Sequence, residues 1–132
     1  MTLHLESITS GIICGIILLQ TSIIAPTVFK YLDQNQTRDL LRAIFPKFFL
    51  FIFILGLFSL IVGLLNDLNL DIQIIISLIT VILSILCYLI IPATNIAKDS
   101  NDRKRFELLH KVSVVFTVII LISNFSWIFF NR

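Results

Sequence analysis

Histidine ordinarily titrates close to neutrality, which makes His110 the side chain best suited to carry a proton or bind a ligand. It stands three residues before Ser113, a spacing that keeps the two on one side of a helix. The plainer alternative is an interfacial histidine bonded to a neighbouring connection. Arg38, Arg42 and Lys47 form a second group. They could build an anion site beside His110, or fix topology and meet lipid phosphates. Cys14 and Cys87 match no CxxC or metal-ligand spacing. No HExxH and no P-loop is found, and no carboxylate is expected within a membrane span. The last of these lowers the expectation of ion-coupled transport by a single chain. These residues define no catalytic set and no metal site, and they imply no cofactor.

The elements that must carry these side chains are membrane spans. The chain has 132 residues, 58% of them hydrophobic and only 14% charged, with mean hydropathy +1.02. Soluble domains average about 45–50% apolar and about 25% charged residues, so lipid must solvate much of this surface. A net charge of +2 is too weak to point to nucleic acid. Four apolar windows, 7–29, 47–65, 72–94 and 108–130, are each long enough to cross the bilayer. Backbone groups in lipid must satisfy one another, which makes each window a helix despite its many β-branched residues. The whole chain reads as one four-span domain. Residues 1–7 lack Lys and Arg, and Pro26 follows Ala25, so the first window reads as a retained span rather than a cleavable signal.

Nine of the ten basic residues fall in or beside the connections after the first and third spans. The 66–71 connection holds two aspartates and no cation. The positive-inside rule then places residues 30–46 and 96–107 in the cytoplasm and both termini outside. The expected location is the inner membrane of a bacterium. His4 and His110 would lie near opposite faces, about 30 Å apart, which argues against a shared haem iron. Cys14 and Cys87 would differ in depth by about 12 Å, too far for a disulfide.

Residues 36–46 set Leu40, Leu41, Ile44 and Phe45 against Arg38, Asp39 and Arg42, the pattern of a short amphipathic helix before the second span. Asp33 and Gln36 could cap it, and Pro46 would permit a bend or sit in the first turn of the span. Ser100 or Asn101 is expected to cap the fourth helix, with Glu107 and Lys111 as an i,i+4 pair. Each span also carries a stripe of small or polar residues. These are Gly11, Gly15, Ser22 and Ala25, with Leu18 in register; then Gly56, Ser59, Gly63 and Asn66; then Ser77, Thr80, Ser84 and Cys87; and last His110, Ser113, Thr117 and Asn124. Small residues let membrane helices approach, and hydroxyls and amides bond across them. The expected fold is therefore an all-α, integral membrane, left-handed four-helix bundle. Gln20, Asn95 and Asn124 are further polar groups at or near membrane depth, able to serve function or to join helices.

The stretch Ala25-Pro26-Thr27-Val28-Phe29-Lys30-Tyr31-Leu32 and the later Ile44-Phe45-Pro46-Lys47-Phe48-Phe49 resemble a four-span family of unknown function. Its best-known eukaryotic relative is the cisplatin-resistance-associated transmembrane protein. In that family a Phe-x-x-x-His-x-x-Ser-like motif opens the last span, matched here by Phe106, His110 and Ser113. Members often carry an asparagine soon after that serine, where this chain has Phe116 and Thr117. The resemblance implies the four-span fold and marks Pro26, Phe29, Phe45, Pro46, Phe106, His110 and Ser113, but it brings no activity.

Three functions compete at this stage. The first is a non-enzymatic bundle that binds a partner, lipid or amphiphile at its cytoplasmic rim, through Arg38, Arg42, Phe45, Pro46, Lys47, Phe106, His110 and Ser113. The second is a haem- or cofactor-linked membrane enzyme, and the third a small oligomeric transporter. The bilayer is the expected partner of all three, with a second copy or another membrane protein as a further one.

Overall fold

Lipid offers the backbone no hydrogen bonds, so each apolar window closes its own as a helix. The computed structural model describes residues 2–66 and 72–130. Its elements are α1 (Thr2–Leu19), a π-helical turn (Gln20–Ile24), α2 (Ala25–Tyr31), α3 (Gln34–Asn66), α4 (Ile72–Asp99) and α5 (Arg103–Phe130). Among the described residues, four helical stretches are long and apolar enough to cross a membrane: His4–Tyr31, Gln34–Leu65, Ile72–Asp99 and Arg103–Phe129. Residues 67–71, most of the acidic connection, lie outside the described residues, as do Arg132 and the side chain of Asn66.

Local chemistry explains the boundaries. Pro26 has no N–H, and in a regular helix its ring would press on the Ser22 carbonyl. The turn before it widens, so that the Ala25 N–H donates to the Gln20 carbonyl. Asp33 and Gln36 form the expected reciprocal cap: Asp33 Oδ1 accepts from the Gln36 N–H at 2.8 Å, and Gln36 Oε1 accepts from the Asp33 N–H at 3.3 Å. The amphipathic segment is not a separate helix. It runs unbroken into the second span, with Pro46 inside α3. Membrane helices tolerate such a proline because neighbours can re-satisfy the freed carbonyl.

At the far end of α4, Asn101 adopts a left-handed conformation (φ 54°), which asparagine accepts more readily than most residues. The Asp102 N–H then returns to the Ala97 carbonyl at 3.0 Å, and the Asn101 N–H to that of Lys98 at 3.3 Å, closing a Schellman turn. Asp102, rather than Ser100 or Asn101, caps α5 by accepting from the Arg105 N–H. The Ser100 hydroxyl donates instead to the Ile96 carbonyl. Glu107 accepts from Arg103 at 2.7 Å, so its i,i+4 partner is not Lys111.

The spans form a closed ring in which α1 and α4 each pack between α3 and α5. Ile13, Ile17, Phe48, Phe49, Ile52, Cys87 and Ile120 meet at its centre. Cys14 Sγ donates to the Leu121 carbonyl and Cys87 Sγ to the Ser113 carbonyl. These partners are eight residues apart on α5, about 12 Å along the axis, and both thiols are free.

The stripes of the second and third spans are buried at Gly56, Ser59, Gly63, Ser77, Thr80, Ser84 and Cys87. In the fourth, Asn124 is buried, Ser113 and Thr117 are half-buried and His110 is exposed. The first stripe is overturned. A Cβ added to Gly11 or Gly15 meets nothing within 4 Å, and Leu18 and Ser22 are exposed. The buried face of this span is instead Glu6, Thr9, Ser10, Ile13, Cys14, Ile17 and Gln20. It lies one residue out of phase with the glycines and carries its own three-and-four spacing.

Candidate functional site

At the basic end, helix termini hold the charged side chains near one another. Arg42 of α3 reaches α4, where it donates to the Asn95 carbonyl at 3.4 Å and pairs with Asp99. Arg38 lies 3.5 Å from its neighbour Asp39, both well exposed. Phe45 is half-buried, packs on the central cluster and stacks on Phe49 with ring centres 6.3 Å apart. Pro46 is half-buried and Lys47 exposed.

Across the ring, Phe106 and His110 stack face to face on α5, with ring centres 5.8 Å apart and planes 6° from parallel. Phe106 is half-buried and His110 exposed. The Ser113 backbone contributes structurally, its carbonyl accepting from the Thr117 hydroxyl at 2.7 Å and from the Cys87 thiol. The α3 group and the α5 group sit on helices separated by α4 in the ring. The end of α4 touches both: Asn95 and Asp99 take Arg42, and Lys98 Nζ lies 4.8 Å over the Phe106 ring. An open groove of about 400 Å³ follows, lined by Ala97, Lys98, Asn101, Arg103, Phe106 and Glu107. Lys98 and Arg103 attracted notice in the sequence only as topology-setting cations, because no spacing rule links the end of one span to the start of the next.

The opposite end of the bundle holds polar groups that are sealed in. Gln73 Nε2 donates to Ser59 Oγ at 2.8 Å, and the Ser77 hydroxyl donates to the same oxygen at 2.9 Å. Asn124 Nδ2 donates to Thr80 Oγ1 at 2.9 Å and to the Ile120 carbonyl. Glu6 corrects the expectation that no carboxylate lies within a span. It is only 5% exposed and belongs to the stretch His4–Tyr31. A Cβ built on Gly63 would lie 3.4 Å from its Oε1. The helix begins at Thr2, ahead of the apolar window, which carries Glu6 onto the same buried face as Thr9 and Ser10.

Ser10 Oγ, Gln73 Oε1 and Trp127 Nε1 are buried with no hydrogen-bond partner, as is Gln20 Nε2 at the start of the π-helical turn. Exchanging the oxygen and nitrogen of the Gln73 amide would still leave one of them unpaired. Among the described residues, no three His, Cys, Asp or Glu side chains gather as a metal site. A signal for this cluster exists in hindsight. Glu6 and Ser10, Gln73 and Ser77, and Asn124 and Trp127 are pairs at helical spacing near span ends.

Fold and polar chemistry together define a small multi-pass helical membrane protein. Residues 8–101 match the family described as a domain of unknown function (DUF4149), and the chain belongs to that family. The match spans both proline motifs, around Pro26 and Pro46, and agrees with the resemblance to an uncharacterised family. No curated protein and no solved structure matches the chain.

Proposed function

We propose that this membrane protein binds the anionic headgroup of an amphiphile, with a phospholipid as the expected ligand, at its basic rim, and that this rim faces the cytoplasm. The observation that carries the reading is Lys98 Nζ lying 4.8 Å over the half-buried Phe106 ring beside an open groove. A cation on an aromatic floor suits a ligand with an anionic head and an apolar stem. Arg103, paired with Glu107, adds a guanidinium group to the groove wall. His110, stacked on Phe106, widens the aromatic surface. On the other side of the rim, Arg38 and Arg42 pair with Asp39 and Asp99, and Lys47 raises the potential, a basic residue near an anionic surface adding about 1 kcal/mol. Phe45, Pro46 and Ser113 hold the helices that present these groups.

The test compares lipids on purified protein. Phosphatidylglycerol should raise its melting temperature more than phosphatidylcholine does, and Lys98→Ala and Phe106→Ala should each remove the difference. An equal response to both lipids, or an unchanged preference in both variants, contradicts the proposal. For orientation, a cysteine at position 101 in a background lacking Cys14 and Cys87 should be labelled only after permeabilisation, and one at position 69 from outside. The reverse pattern would overturn it.

A further inference from the structure

The buried polar end holds more oxygen than its own hydrogen bonds use. α1 and α3 run antiparallel, and Glu6 meets α3 at Gly63. One turn further along α1 is Ser10, which this register brings level with Ser59. Ser59 holds the Gln73 amide at 2.8 Å. This register sets three kinds of oxygen within about one helical turn, roughly 6 Å, of one another along the bundle axis: the Glu6 carboxylate, Ser10 Oγ and Gln73 Oε1. The last two are 1% and 2% exposed as residues and have no partner.

Carboxylate, amide and hydroxyl oxygens are hard ligands. The local charge selects among hard cations. Uncompensated charge is expensive at membrane depth, and one carboxylate balances one positive charge. Glu6 is the one carboxylate among the described residues at this end, so a divalent ion would leave an excess against it. A carboxylate offers about four lone-pair directions, so a contact to Glu6 within the fold leaves capacity for a cation. We propose that Glu6, Ser10 and Gln73 form a binding site for a single sodium ion inside the polar end of the bundle. Gly63 leaves room for the Glu6 carboxylate, since a Cβ there would lie 3.4 Å from its Oε1 and 3.3 Å from Ile74 Cγ1.

The chain carries its own reporter. Trp127 is its one tryptophan, is 4% exposed and has an unpartnered Nε1–H. The bond from Asn124 to Thr80 between antiparallel α5 and α4 sets Trp127 level with Ser77, about one helical turn from Gln73. The full chain in detergent, free of sodium, should show a saturable change in Trp127 fluorescence and a rising melting temperature on titration with sodium chloride. Choline chloride at the same ionic strength should produce neither.

Glu6→Gln should lose both responses while retaining its helical circular dichroism. Should that variant fail to fold, Ser10→Ala serves. It should shift the half-saturating sodium concentration upward by about tenfold, the scale of one lost polar contact. Equal responses to sodium and choline would overturn the site and leave buried water as the occupant of the cluster. A fluorescence change that follows pH alone would also overturn it, with a proton in place of the metal ion. An unaltered sodium titration in both variants would remove these residues from the site.

Discussion

The two ends of this bundle use polar side chains in opposite ways. At the basic rim, charges lie at helix termini, open to water or headgroups, and pair locally or with one neighbour: Arg38 with Asp39, Arg42 with Asp99, Arg103 with Glu107. Exposed pairs of this kind contribute little to stability, so the fold does not depend on the rim's charges. At the other end, Ser59 joins Gln73 and Ser77, and Thr80 joins Asn124, all away from water. Lipid gives helices no hydrophobic reason to associate, and interhelical hydrogen bonds with close small-residue contacts supply part of that cohesion. Where a polar group sits thus decides whether its loss changes binding or folding.

The sharpest break of the comparison uses glycines. Gly63→Phe should abolish the folded state, because even a Cβ there would touch Ile74 and Glu6 at 3.3 and 3.4 Å. Gly15→Phe should be close to silent, since that position opens to lipid. Size-exclusion profiles and melting curves read both. Next in size is Gly56→Ala. Its new methyl would lie 2.9 Å from Thr80 Cγ2, an overpacking expected to cost about 1–3 kcal/mol in unfolding titrations. Smaller still, Gln73→Ala and Asn124→Ala should each cost about 0.6–2 kcal/mol, the range for hydrogen bonds between membrane helices. At the rim, Arg103→Ala should leave the melting temperature unchanged, in keeping with an exposed pair. A rim substitution as damaging as Gly56→Ala would erase the distinction between the ends.

Much of this was legible before the structure. Span length fixed the helices, because backbone in lipid has no alternative, and the Asp33–Gln36 cap followed from its spacing. The second and third stripes were readable because glycine, serine and threonine there leave one choice of face. The first span offered two faces one residue apart, Gly11–Gly15 and Ser10–Cys14, and composition favoured the wrong one. Glu6 was missed for a related reason: an apolar window stops at a charge, whereas the helix and its burial continue past it. The Lys98–Phe106 contact depends on the left-handed turn at Asn101, which returns α5 onto the end of α4. No pattern within either span encodes that meeting.

Burial of the polar end can be measured most directly at Trp127. Reconstituted into bilayers containing brominated lipids, the wild-type chain should show little quenching and a blue-shifted emission that aqueous iodide leaves unchanged. A Phe125→Trp variant in a Trp127→Phe background should be quenched strongly by the same lipids, because Phe125 is 50% exposed. Strong quenching of Trp127 by either agent, matching that of the tryptophan at position 125, would contradict a sealed polar end.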